Sequence, residues 1–148
     1  FSAIQFEVEG RQVLDLFAGS GQLGIEALSR GAAHCTFVDK GRDPISVIRE
    51  NLKKTRLEEK AEIVQADYSS YLKTCRRQFD LVLLDPPYAE VFLETALKII
   101  SEIDILTNSG IIVCERPFDK TLAGEVPGLV RYRDYRYGKA AVTIFRRG

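Results

Sequence analysis

Asp15-Leu16-Phe17-Ala18-Gly19-Ser20-Gly21-Gln22-Leu23-Gly24 follows directly on an apolar run that starts at Val13. A β-rich run that breaks at closely spaced glycines and resumes with helical period reads as strand, tight turn and helix. Glycine takes backbone conformations closed to other residues and lets a ligand approach the main chain. Taken alone, the Gly-x-Gly-x-x-Gly spacing of Gly19, Gly21 and Gly24 suits a dinucleotide, a phosphate or a purely structural turn.

Outward from this loop the pattern repeats. Apolar runs at 13–17, 35–38, 61–65, 81–84 and 111–114 alternate with segments of helical period, the mark of βαβ units wound about a parallel sheet. Near-continuous hydrophobicity predicts strands covered by helices on both faces. Residues 22–30 align Leu23, Ala27 and Leu28; residues 44–57 align Ile45, Ile48 and Leu52, with Asp43 as N-cap and Pro44 at the first helical position. A short helix fits 69–75, and a longer one fits 91–106 with Leu93, Leu97, Ile100 and Ile103 as its stripe, ending before Asn108-Ser109-Gly110. The tail departs from the alternation: runs at 129–137 and 140–145 flank Gly138-Lys139, a hairpin signal. The expected fold is therefore α/β and Rossmann-like, a seven-stranded, mostly parallel sheet with helices on both faces and a C-terminal antiparallel hairpin. A dinucleotide-binding domain would continue with another βα unit instead.

Acids recur at the strand ends. Asp39 closes the second strand, 15 positions after Gly24, where a carboxylate can accept both hydroxyls of an adenosine ribose. Asp67 follows the third strand, within reach of an adenine amino group or placed to cap a helix, and Tyr68 comes next. With Asp15 they make a carboxylate line along the carboxyl edge of the sheet, where open α/β sheets bind ligands. Such a rim repels a pyrophosphate and suits a cationic sulfonium with a free amino group, so the electrostatics favour S-adenosylmethionine, with Asp15 serving the methionine amino group directly or through water.

The fourth strand runs into Asp85-Pro86-Pro87-Tyr88. Two prolines lock two φ angles and remove two N–H groups, leaving a rigid turn whose carbonyls remain acceptors. An exocyclic nucleobase amine is a poor nucleophile because its lone pair is delocalised into the ring. A carboxylate and a fixed carbonyl, Asp85 and Pro86, can take its two hydrogens and aim that lone pair, which is catalysis by orientation and preorganisation. Tyr88 offers a ring for stacking an extruded base, worth roughly 1–3 kcal/mol.

Bulk properties narrow the classes. With 148 residues, 45% hydrophobic, the chain suits one domain that folds without disulfides or metal. Lys+Arg and Asp+Glu are 21 each, so no global positive charge announces nucleic acid and any such contact must be local. Cys35, Cys75 and Cys114 have no metal-ligand spacing and read as reduced thiols. No apolar run is long enough to span a membrane and no signal peptide opens the chain, so the expectation is a soluble cytoplasmic protein with no metal and no obligate protein partner. His34 reads as structural. Lys53, Lys54, Arg56, Arg76, Arg77, Arg131, Arg133 and Arg136 suit phosphate contacts or solvated faces alike, and Tyr132, Tyr135 and Tyr137 suit RNA stacking or hairpin packing alike.

The pairing of Asp-Leu-Phe-Ala-Gly-Ser-Gly with Asp-Pro-Pro-Tyr resembles the amino-directed methyltransferases of nucleic acids. Gly-Ile-Glu-Ala-Leu-Ser-Arg-Gly-Ala at 24–32, Val-Ile-Arg-Glu-Asn-Leu at 47–52, Phe-Asp-Leu-Val-Leu-Leu-Asp-Pro-Pro-Tyr at 79–88 and the Tyr-Gly hairpin resemble the bacterial RsmD-type family across essentially the whole chain. That resemblance implies methyl transfer from S-adenosylmethionine, giving S-adenosylhomocysteine, to the N2 amine of a guanine in small-subunit (16S) ribosomal RNA, free or in an assembling subunit. It implies cofactor contacts at Phe17, Ala18, Gly19, Ser20, Gly21 and Asp39, with the Lys40 stem beside the adenine and Asp67 and Tyr68 at its edge. Asp85, Pro86, Pro87 and Tyr88 would hold the guanine. Members of the family usually begin with a basic segment and a helix, of which this chain carries only residues 1–4. Rival readings are an adenine-N6 or protein-amide methyltransferase, for which the same acid-Pro-Pro-aromatic turn would serve, and a non-catalytic RNA-binding module of the same fold. A nicotinamide-dependent oxidoreductase would leave Asp85 to Tyr88 without a role and needs a substrate domain.

Overall fold

In the computed structural model, which describes residues 8–86, 89–117 and 126–148, strands and helices alternate through Pro117 and a hairpin closes the chain. The elements are β1 (Gln12–Asp15), α1 (Gln22–Ser29), β2 (His34–Asp39), α2 (Arg42–Thr55), β3 (Ala61–Gln65), α3 (Tyr68–Thr74), β4 (Phe79–Leu84), α4 (Ala89–Glu102), β5 (Leu106–Pro117), β6 (Leu129–Tyr137) and β7 (Ala140–Arg147). They build a seven-stranded sheet in the order β3-β2-β1-β4-β5-β7-β6. The first five strands are parallel, and β7 lies antiparallel to both β5 and β6.

Two apolar layers sandwich the sheet. On one face Ala27 and Leu28 of α1 and Ile45, Ile48 and Leu52 of α2 pack on Val13, Cys35, Phe37 and Leu81. On the other, Leu72 of α3 and Leu93, Ala96, Leu97 and Ile100 of α4 pack on Leu14, Val38, Val82 and Ile112. Each fully buried aliphatic side chain contributes roughly 1.5–3 kcal/mol relative to exposure, so the doubly covered centre of the sheet dominates stability. β3, expected to be as buried as the rest, is the sheet edge: Glu62 and Gln65 are exposed and Ile63 and Val64 only half-buried.

Several boundaries differ from expectation for local physical reasons. β1 ends at Asp15, and Leu16 and Phe17 bend away toward the crevice. α2 starts at Arg42 with Gly41 as its N-cap rather than Asp43; Pro44 falls later in the first turn, where its missing N–H still costs no helical bond. α3 starts one residue before the expected span because Asp67 caps it. α4 ends at Glu102, and Leu106 belongs to β5 because it pairs with Phe79 before a register shift resumes pairing at Leu81 and Ile111.

Chain direction positions the site. From β1 the chain moves outward to β2 and β3, then returns to β4 on the other side of β1. The loops leaving β1 and β4 therefore diverge and open a crevice at the carboxyl edge.

Candidate active site

The loop after β1 is held from behind. Asp15 is 1% exposed, and its Oδ2 accepts the Gly24 N–H at 3.0 Å. That amide is one of the unpaired donors in the first turn of α1, whose own N-cap, Gly21 at φ 80°, supplies no side chain. Asp15 thus caps α1 across the turn. Burial, foremost, with Asp85 and Asp39 adding like charge, pushes its carboxyl up to about 7 against the opposing Gly24 hydrogen bond. Its Oδ1 is buried without a partner among the described residues. At Gly24 an added Cβ would fall 2.3 Å from Phe37 Cε1 and 2.8 Å from Cys35 Sγ, so this glycine is required by packing of α1 on β2.

Asp39 ties the front of the loop to the sheet. Its Oδ2 accepts the Gly19 N–H at 2.9 Å and its Oδ1 the Gly41 N–H at 2.8 Å. Gly19 has φ 56°, and an added Cβ there would meet nothing within 4 Å because the position opens on the cavity. Asn51 of α2 donates to the Ser20 carbonyl at 3.1 Å, bracing the loop from a second element.

A cavity of about 690 Å³ lies between this loop and the ends of β2 to β5. Asp67 stands on its rim and caps α3, accepting the Ser69 N–H at 3.1 Å and the Ser69 hydroxyl at 2.6 Å. The hydroxyl bond, foremost, holds its carboxyl below the usual range. Phe17, Tyr68 and Phe92 form an aromatic wall, with Phe17 5.0 Å from Tyr68, Phe92 5.7 Å from Tyr68 and Phe17 6.2 Å from Phe92, ring centre to ring centre.

Across from the loop, Asp85 and Glu115 line the cavity at the ends of β4 and β5. Desolvation first, and the Glu115 charge second, push the Asp85 carboxyl up to about 6. It is therefore mostly ionised at neutral pH. Pro86 is buried behind it.

Of the expected cofactor residues, Phe17, Ala18, Gly19 and Ser20 line the cavity, as do Asp39, Lys40, Asp67 and Tyr68. Asp15 and Gly21 do not: both sit behind the loop they shape, where Asp15 Oδ2 holds the Gly24 N–H and its Oδ1 has no partner among the described residues. Pro87 and Tyr88 lie outside the described residues. Phe92 and Glu115 were not singled out from sequence. Glu115 obeys the rule that found Asp39, an acid ending an apolar strand, whereas Phe92 is hidden beside the stripe of α4. The aromatic residues of the hairpin divide: Tyr132 is 41% exposed, with the guanidinium of Arg146 3.8 Å and that of Arg133 4.9 Å from its ring centre, whereas Tyr135 packs half-buried against the core.

Five parallel strands with a reversed β7 inserted before β6, and a glycine loop facing an acid-Pro turn across the crevice, define the Rossmann-like fold of the S-adenosylmethionine-dependent methyltransferases. The chain belongs to the family described as conserved hypothetical protein 95, which matches residues 1–146. It is 39% identical over 150 residues to Bacillus subtilis YlbH, provisionally named an rRNA methyltransferase, covering 99% of this chain and 82% of that protein. It is 34% identical over 137 residues to the ribosomal RNA small subunit methyltransferase D of Haemophilus influenzae, covering 84% of this chain and 71% of that one. The solved structure of Escherichia coli yhhF, provisionally described as a methyltransferase, superposes with a TM-score of 0.90 at 27% identity, covering 99% of this chain and 82% of that chain. Among the described residues no helix is long and apolar enough to cross a membrane.

Proposed function

We propose that this chain methylates the N2 amine of a guanine in small-subunit ribosomal RNA, using S-adenosylmethionine, as a single domain working in the cytoplasm where small subunits assemble. The observation that carries this reading is the placement of Asp85, followed by Pro86, across the cavity from the glycine loop, in a chain whose relatives are named small-subunit rRNA methyltransferases.

The donor set fits the cofactor. Asp39, Asp67, Asp85 and Glu115 outnumber Lys40 on the lining, which favours a cation over a pyrophosphate. The volume is in the range of small-molecule sites, roughly 300–1,000 Å³. The open Gly19 position admits close backbone approach, Asp39 keeps free lone pairs for ribose hydroxyls, and the aromatic wall suits a flat ring. When bound, the cofactor supplies a methyl group activated by a positively charged sulfur.

The protein's own part is orientation and charge. The ionised Asp85 and the Pro86 carbonyl accept the two amine hydrogens and turn the nitrogen lone pair toward the cofactor side of the cavity. An acceptor-rich wall also stabilises the positive charge that develops on that nitrogen, and Asp85 is placed to take the proton it releases. The family resemblance gives Pro87 and Tyr88 a part in holding the base.

Labelled methyl transfer to small ribosomal subunits lacking guanine-N2 methylation, followed by digestion to nucleosides, tests the reading. The expected label is N2-methylguanosine, lost in Asp85→Ala. Label on adenine or on protein would overturn the substrate, and RNA binding without any transfer would mark a non-catalytic module.

A further inference from the structure

We propose that Glu115 is the guanine-selecting residue, accepting the ring N1–H while Asp85 and the Pro86 carbonyl hold the exocyclic amine. The role rests on the reading of this cavity as a guanine-methylating site. β4 and β5 are parallel neighbours with Leu84 opposite Cys114, so Asp85 and Glu115 are the next residues along adjacent strands, about 5 Å apart at the backbone. Both line the cavity, and Glu115 is close enough to raise the Asp85 carboxyl by its charge.

Neither acid has a structural partner that explains its place. Among the described residues no group donates a hydrogen bond to Asp85 or Glu115 and no cation pairs with them. The neighbouring Arg116 instead donates to the Thr143 hydroxyl, which in turn donates to Asp134. Two carboxylates side by side, Glu115 half-buried and Asp85 open to the cavity, repel each other unless donors enter between them.

Base chemistry then identifies the donors. Ionised carboxylates only accept. Adenine and cytosine carry their amines next to a ring nitrogen lone pair, which would face Glu115 acceptor to acceptor. Guanine carries its N2 amine next to N1–H, three hydrogens along one edge. Asp85 and Glu115 supply acceptors on the cavity lining, and the Pro86 carbonyl, next in the chain to Asp85, is assigned the third. A site built to accept a hydrogen rejects a base lacking it far more strongly than shape alone would.

The test compares wild type, Glu115→Gln and Glu115→Ala in labelled transfer to undermethylated small subunits, with S-adenosylhomocysteine binding by calorimetry as a check on folding and the cofactor site. Subunits reconstituted with 2-aminopurine at the position that wild type labels provide the second substrate; that base keeps the amine and lacks N1–H. Glu115→Ala is expected to lower kcat/KM on guanine about 10–100-fold with affinity for S-adenosylhomocysteine, which lacks the sulfonium charge, unchanged. Wild type is expected to prefer guanine to 2-aminopurine by a similar factor, and Glu115→Ala to lose that preference, with Glu115→Gln intermediate. Undiminished preference in Glu115→Ala, or loss of cofactor binding together with activity, overturns the role of Glu115 alone. Absence of guanine label with wild type overturns the proposed function and this role together.

Discussion

Asp15 and Asp85 both carry raised carboxyls, but their surroundings give them different work. Asp85 faces the cavity, and its ionised form offers both oxygens as acceptors alone, with no O–H to set against the amine hydrogens. Its value of about 6, raised by desolvation and by Glu115, predicts that kcat/KM falls as pH drops through about 6, a limb measurable in the labelled-transfer assay. Asp85→Ala should lose roughly 100-fold or more in kcat and retain S-adenosylhomocysteine binding. Asp15 is enclosed, and its effect is on stability. A carboxyl at about 7 in the fold against an ordinary 3.8 binds its proton more tightly when folded, so its contribution is complete below about 3.8 and is lost as pH rises through about 7. Asp15→Asn keeps an acceptor for Gly24 and removes the titration. In urea unfolding, the stability lost between pH 5 and pH 8 should shrink by about 2 kcal/mol in that variant; an unchanged loss would assign the slope to other groups. Reading the residues alone found both acids. It gave Asp15 a part at the ligand, directly or through water, and missed its hold on Gly24, because nothing in the order of the chain reveals that Gly24 folds back onto it.

At the scale of elements, the glycine loop and α3 show secondary structure and site sharing the same atoms. Gly24→Ala improves intrinsic helix propensity by about 1 kcal/mol, yet its Cβ would overlap Phe37 and Cys35 in the packed face of β2. The overlap should win, with a net destabilisation of roughly 1–3 kcal/mol seen as a lower unfolding midpoint. Asp67 serves α3 as N-cap and the cavity as rim. Asp67→Ala should cost about 1 kcal/mol of stability and weaken cofactor binding, while Asp67→Ser should restore the cap and leave binding weak. If Asp67→Ser restored both, the residue would be a cap alone. Element identity was legible because 3.6-residue and continuous apolar patterns depend on local sequence. Boundaries were less so: Leu106 joined β5 only through pairing with Phe79, and Gly41 displaced Asp43 as cap because Asp39 binds its amide.

Over the whole molecule, binding at the carboxyl edge joins the loop after β1 to the ends of β2 to β5, so a ligand that fills the cavity stabilises the fold as a unit. S-adenosylhomocysteine at about 100 times its Kd should add about 2.7 kcal/mol and raise Tm by roughly 5–10 °C, and Asp39→Ala should diminish the shift. No shift with wild type would separate this cavity from the cofactor. The order of residues by itself determined the alternation of strands and helices, the tight turn at Gly19 to Gly24 and the rigid acid-Pro turn at Asp85, because each depends on backbone preferences and periodicities expressed within a few residues. The strand order, the insertion of β7 between β5 and β6 and the exposure of β3 were decided by the tertiary structure, since pairing between distant segments follows from the joint burial of two apolar layers. The same pairing set Glu115 beside Asp85 and Phe92 against Phe17 and Tyr68. Residues far apart in the chain became one acceptor rim and one aromatic wall only when the parallel strands came into register.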